Sequence, residues 1–182
     1  QLYDRVKGPD TNIDNIMMAH SLRPHSMDGH MALYKNVLHH SSNTVPKWFL
    51  ETLGVLVSHI NHCAYCVEHH FAGLRRLLND DARACAIRRA LEDPSINDLF
   101  EAKEQSALNY AAKLTKDAHM VGRAEIEAMR GAGFDDGQIL EINQVVAAVS
   151  TADPPRLWPC APIREVSMSG CSASTFQAAS TS

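Results

Sequence analysis

Between Trp48 and Ile60 the chain reads Trp-Phe-Leu-Glu-Thr-Leu-Gly-Val-Leu-Val-Ser-His-Ile, apolar on almost every side of a helix drawn through it. A helix with one apolar stripe can lie on a surface, but one that is apolar all round has to be covered on all sides. The stretch from Val45 to Ile60 therefore reads as a central helix with others packed around it. Its single carboxylate, Glu51, then falls in the interior, where a charge is costly unless a histidine or a thiol proton partners it. The simplest role for such a group is a proton acceptor.

The rest of the chain keeps helical periodicity. Met27, Met31, Tyr34 and Leu38 recur behind Ser26, which suits an N-cap followed by one amphipathic helix. Those methionines read as core packing. Asn79-Asp80 ends one helix and caps another from Asp81 to Glu92, stopped by Pro94. Ile96, Leu99, Phe100, Ala107, Leu108, Ala111 and Leu114 predict a long helix. A shorter one near Arg123 to Arg130 ends in Gly131-Ala-Gly133, and Asp135 with Gln138 forms a capping box for a last helix with Ile139, Ile142, Val145 and Val149 as its apolar stripe. No alternating pattern predicts a sheet, so the expected fold class is all-α.

With 182 residues and 45% hydrophobic content the chain can bury one core, and residues 1–152 are expected to form a single helical domain. From Thr151 the character changes. Asp153-Pro-Pro-Arg-Leu-Trp-Pro-Cys-Ala-Pro162 and the Ser, Ala and Thr rich end bury little, so 153–182 is expected to be an irregular or disordered tail. A shifted reading frame near the codon for Val149 would produce such an ending; this is a hypothesis that sequencing the encoding DNA would settle.

A net charge of -4 without a basic cluster predicts no nucleic-acid partner. No stretch approaches a membrane span and the first residues show no export signal, so no membrane association is expected. Five cysteines, an odd number, point to a reducing cytoplasmic setting. Several short helices with broad apolar faces, Trp48-Phe49-Leu50 among them, predict a symmetric homo-oligomer.

The chemistry is concentrated in Cys63-Ala64-Tyr65-Cys66-Val67-Glu68-His69-His70. If residues 61 to 78 form a helix opening at Asn61 as N-cap, side chains three and four apart share a face, and Cys63, Cys66 and His70 lie along one stripe. His69 is rotated about 100° off that stripe, which makes His70 the candidate partner. A first-turn cysteine sits in the positive end of the helix dipole, which favours the thiolate, the nucleophilic form. These are the parts of reversible thiol oxidation.

Other readings use the same residues. A Cys-x-x-Cys near His59, His62, His69 and His70 can be half of a zinc site, although no second such pair follows downstream. A structural disulfide bracketing two residues would remove almost no chain entropy. Glu51 can be a solvated helix residue. Cys85 reads as a small buried helix residue, and Cys160 and Cys171 fall in the tail.

The set Glu51, Cys63, Cys66 and His70, within Leu56-Val-Ser-His-Ile-Asn-His-Cys-Ala-Tyr-Cys-Val-Glu-His-His70, resembles the alkylhydroperoxidase D and carboxymuconolactone decarboxylase superfamily, in its peroxidase-related branch. Leu2-Tyr-Asp-Arg-Val-Lys7, Asn15-Ile-Met-Met-Ala-His-Ser21 and Gly133-Phe-Asp-Asp-Gly-Gln-Ile-Leu-Glu-Ile-Asn-Gln-Val-Val146 look like that branch too, so the likeness spans roughly residues 2 to 150. A motif of four fixed spacings is more specific than a lone Cys-x-x-Cys.

The resemblance implies a compact, oligomeric helical bundle that reduces hydroperoxides through its cysteine pair, with Cys66 attacking, Cys63 resolving, and His70 and Glu51 moving the proton. It implies a hydroperoxide substrate, a dithiol or protein reductant, and neither cofactor nor metal. The chain departs from alkylhydroperoxidase D at Tyr65, where those proteins carry a histidine. The alternatives are a non-catalytic zinc-binding or redox-sensing module, and an enzyme like the decarboxylases, whose branch lacks the paired thiols.

Overall fold

The computed structural model describes residues 15–93 and 99–152, which are helical with no strand among them. In chain order the helices are α1 (Asn15–His20), α2 (Pro24–Leu38), α3 (Lys47–Ile60), α4 (Ala64–Leu78), α5 (Asp81–Glu92), α6 (Ala102–Lys116), a 3-10 turn (Ala118–Met120), α7 (Arg123–Gly131) and α8 (Asp136–Ala152). The expected all-α class is what the chain adopts. Among the described residues no helix is long and apolar enough to cross a membrane. Residues 153–182, with Cys160 and Cys171, lie outside the described residues, as do Pro94 and Ile96.

Helix α3 is the axis of the bundle. Every residue from Phe49 to Ser58 is buried, and α4, α5, α6 and α8 all pack against it. Leu50, Leu53 and Val57 meet Val67 and Leu74 of α4, Ile87 of α5, Ala111 of α6 and Ile142 and Val145 of α8 in one core. Each large apolar side chain buried this way stabilises the fold by roughly 1.5–3 kcal/mol. Met17 and Met27 form a separate small cluster between α1 and α2.

The breaks between helices follow local chemistry, in three places not as expected. Ser26 is not the cap of α2. Pro24 stands at the first helical position, where its fixed φ and missing N–H are harmless, so the helix opens three residues earlier, with Arg23 as its N-cap, and the Ser26 hydroxyl donates to Arg23 O at 2.8 Å.

Asn61 is not the cap of α4 either. Its N–H donates to Val57 O at 3.0 Å, which makes it the last turn of α3, and His62 then takes φ 58° to reverse the chain. Cys63 caps α4 instead, its sulfur accepting from the Cys66 amide at 3.3 Å.

The long helix predicted around Ile96 starts only at Ala102. The Glu104 carboxylate accepts from the Glu101 N–H at 3.1 Å and sets that start, leaving Leu99 and Phe100 before it.

Other boundaries fall where the residues place them. Asn79 takes the left-handed conformation that ends α4, and Asp80 accepts from the Arg83 amide at 3.0 Å to start α5. Asp135 and Gln138 exchange hydrogen bonds at the head of α8, and Gly133 at φ 93° makes the turn before it.

Candidate active site

Cys63 and Cys66 are joined as a disulfide, with their Cα atoms 5.3 Å apart, at the first turn of α4. Both are buried. The cap geometry explains why the pair can close. As N-cap, Cys63 directs its sulfur back over the first turn toward Cys66, and the Cys66 amide that donates to it supports a thiolate there once the bond is broken.

One turn further along α4, His70 is buried and its Nδ1 lies 2.7 Å from Oε2 of Glu51, itself 2% exposed on α3. The partner that a carboxylate inside the central helix requires is thus this imidazole. With Nδ1 engaged by Glu51, Nε2 is the nitrogen left for a sulfur or an oxygen. His70 stands four residues after Cys66 on the same helix, one turn away on the same side.

Two glycines allow this pair to form. A Cβ on Gly54 would lie 2.5 Å from His70 Nδ1 and 2.6 Å from its Cγ, and a Cβ on Gly73 would lie 2.7 Å from the Glu51 carboxylate. Gly54 follows Glu51 by three residues on α3, and Gly73 follows His70 by three on α4. Each glycine makes room for the group on the facing helix. A glycine inside a helix costs up to about 1 kcal/mol relative to alanine, so the two are the legible signal of a close approach. They were not among the residues the motif singled out.

Around this pair lies a set of rings that spacing did not indicate. His39, which follows the end of α2, places Nε2 3.9 Å from the second Glu51 oxygen, Oε1, with its side chain 34% exposed. Burial pushes the His39 pKa below the ordinary histidine range, while Glu51 pulls it upward. Tyr34 lies edge-on to His39, and its hydroxyl is 3.2 Å from Nε2 of His69. His69 is accordingly turned away from Glu51, toward α2. Tyr65 is half-buried and stacks against His69, with ring centroids 6.2 Å apart.

On the other side of the disulfide, a cleft of about 290 Å³ reaches Cys63 between Ser58, Val67, Glu68 and Arg88. Arg88 bridges Glu68 at 2.7 Å and Glu92 at 2.9 Å and lies over the Phe71 ring, which fixes that wall. The Ser58 hydroxyl, fully buried, has no hydrogen-bond partner. Among the described residues no three His, Cys, Asp or Glu side chains are grouped so as to hold a metal ion. His59 and His62 are placed beside the cleft, apart from the Glu51 and His70 pair.

No protein-family model matches the chain, and no curated protein matches it. Solved structures do. A peroxidase-related protein from Silicibacter sp. TM1040 is 26% identical, covering 76% of this chain and 70% of its own, with a TM-score of 0.66. A peroxidase-related protein from Ralstonia eutropha JMP134, described as having an alkylhydroperoxidase AhpD core, superposes with a TM-score of 0.72 at 22% identity, over 84% of this chain and 79% of its own. The chain thus has the fold of the AhpD-like peroxidase-related proteins and resembles them. The AhpD-like fold is not tied to one reaction: a debrominase solved with 2,3,4-tribromopyrrole shares it at 14% identity and a TM-score of 0.65, over 78% of this chain and 72% of its own.

Proposed function

We propose that this AhpD-like protein is a thiol-dependent peroxidase that reduces hydroperoxides while Cys63 and Cys66 pass from dithiol to disulfide. One observation carries the reading: His70, paired with buried Glu51 of α3 at 2.7 Å, stands on the helix whose first turn holds a closed Cys63–Cys66 disulfide. A disulfide needed only for stability would have no use for a buried acid and base one turn away.

In the reaction, the Cys66 thiolate attacks the terminal oxygen of the peroxide. An S–O bond forms, the O–O bond breaks, and the departing alkoxide takes a proton to leave as an alcohol. Cys63 then attacks the Cys66 sulfenic acid, forming the S–S bond and releasing water. Glu51 holds the His70 ring by Nδ1, so that Nε2 accepts the Cys66 proton and returns it to the leaving oxygen. The amide donated to Cys63 stabilises the resolving thiolate. A dithiol or a protein reductant reopens the disulfide.

Thiol counting before and after one equivalent of hydroperoxide tests this. Two thiols per chain should disappear and one Cys63–Cys66 bond should form. Cys66→Ser should abolish peroxide turnover, and Glu51→Gln should slow it without ending disulfide formation. Full turnover in Cys66→Ser would refute the assignment.

A further inference from the structure

The Glu51 and His70 pair is closed off from water, Glu51 at 2% and His70 at 6% exposure. A proton needed at the sulfurs has to enter by some route. Of the two Glu51 oxygens, Oε2 is taken by His70 and Oε1 faces His39, a third of whose side chain is in solvent.

We propose that His39 is the proton port of the site, carrying protons between bulk water and the buried Glu51 and His70 pair. The inference rests on the thiol-exchange reading above and adds a residue to it. His39 touches no reacting atom and acts through Glu51, as a positioning residue.

The step that uses it is the opening of the disulfide. A thiolate of a dithiol reductant bonds to Cys63 sulfur, the Cys63–Cys66 bond breaks, and Cys66 leaves with the electron pair. Cys66 takes the proton on His70 Nε2 as Nδ1 accepts one from Glu51 Oε2; Glu51 Oε1 is then reprotonated from His39 Nε2, and His39 from water. The second reductant thiolate attacks its partner sulfur in the mixed disulfide and releases Cys63. The two protons lost by the reductant to water balance the two gained by the cysteines.

The surroundings of His39 suit a carrier. Burial disfavours its charged form and Glu51 favours it, while Lys47 on α3 and Arg76 and His70 on α4 add smaller opposing contributions. Tyr34 of α2 packs edge-on against the ring, with centroids 4.9 Å apart, and limits its swing. Burial thus biases His39 toward its neutral form, while the facing Glu51 carboxylate draws a proton to it. The 3.9 Å gap to Oε1 is longer than a hydrogen bond, and a small ring rotation or one bridging water closes it.

The test is exchange of the His70 Nδ1 proton with water, read by NMR on the oxidised protein, in wild type, His39→Phe and His39→Gln. Both variants should slow that exchange tenfold or more, with the resonance itself kept as a sign that the pair is intact. In His39→Ala, added imidazole should restore exchange and, in the same samples, peroxide turnover in proportion to its concentration. Unchanged exchange in His39→Phe overturns the port. Slowed exchange in a protein whose wild type consumes no peroxide keeps the port and removes the peroxidase reading. Peroxide turnover with unchanged exchange does the reverse.

Discussion

Helix α4 carries two acid–base contacts of nearly the same length. His70 meets Glu51 at 2.7 Å in the interior, and Arg75 meets Asp81 at 2.8 Å on the surface, only five residues further along. Distance does not separate them. Burial does: Glu51 and His70 are both under 10% exposed, whereas Arg75 and Asp81 are 41% and 64% exposed at their side chains. An exposed pair gives up little hydration and returns little energy. A buried pair gives up most of its hydration, so each member depends on the other. The interior contact is therefore a commitment of the fold, and the exterior one an ornament of the helix end.

The largest expected effect follows directly. His70→Ala leaves the Glu51 carboxylate buried without its partner, which should cost about 3 kcal/mol or more, seen as a loss of roughly 6–12 °C in melting temperature for a chain of this size. Replacing both residues together with leucine should recover much of that loss, because no orphaned charge remains. A double variant as unstable as His70→Ala would show that packing around the pair, rather than its charge, sets the cost.

Next in size come the two glycines. In Gly54→Ala the new methyl meets the body of the His70 ring within 2.6 Å, and any shift of that ring pulls Nδ1 away from Glu51. Overpacking of that kind costs about 1–3 kcal/mol, against a gain of up to about 1 kcal/mol from alanine in a helix. Gly73→Ala presses on the far end of the Glu51 side chain, which can tilt. Denaturant midpoints should therefore fall further for Gly54→Ala, while both variants lose turnover because both displace the pair. Equal midpoints would mean that the His70 ring has more room than its neighbours allow.

The same contrast explains what the sequence disclosed. An all-round apolar helix with one acid inside it is an interior conflict, and such conflicts are visible in a string of letters: Glu51 in the Trp48 to Ile60 stretch demanded a partner, and the i, i+4 stripe from Cys66 pointed to His70. Caps made of Asp80 and of Asp135 with Gln138 were visible for the same local reason. His39 and Tyr34 were not, because they reach Glu51 and His69 from α2 through the fold and share no helical spacing with them. Asn61 misled because a good capping residue next to a helix start can belong to the end of the helix before it. Ser26 misled because Pro24, two residues earlier, is the stronger start signal. Leu99 and Phe100 are apolar at helical spacing, yet the Glu101 and Glu104 cap sets the start of α6 after them.

The smallest expected effect lies at the surface pair. The Arg75 guanidinium hydrogen-bonds Asp81 and holds its carboxyl below the ordinary aspartate range. A carboxyl whose folded pKa is depressed adds stability that is present above its ordinary value, near ~3.9, and that is lost as pH falls through the lower folded value. Arg75→Ala should thus lower the melting temperature slightly at pH 7, and the difference from wild type should shrink as pH drops below about 4. Because both groups face solvent, added salt should shrink it as well. A loss at pH 7 as large as that of His70→Ala would break the comparison, since it would mean that an exposed contact binds α4 to α5 as firmly as a buried one binds α3 to α4.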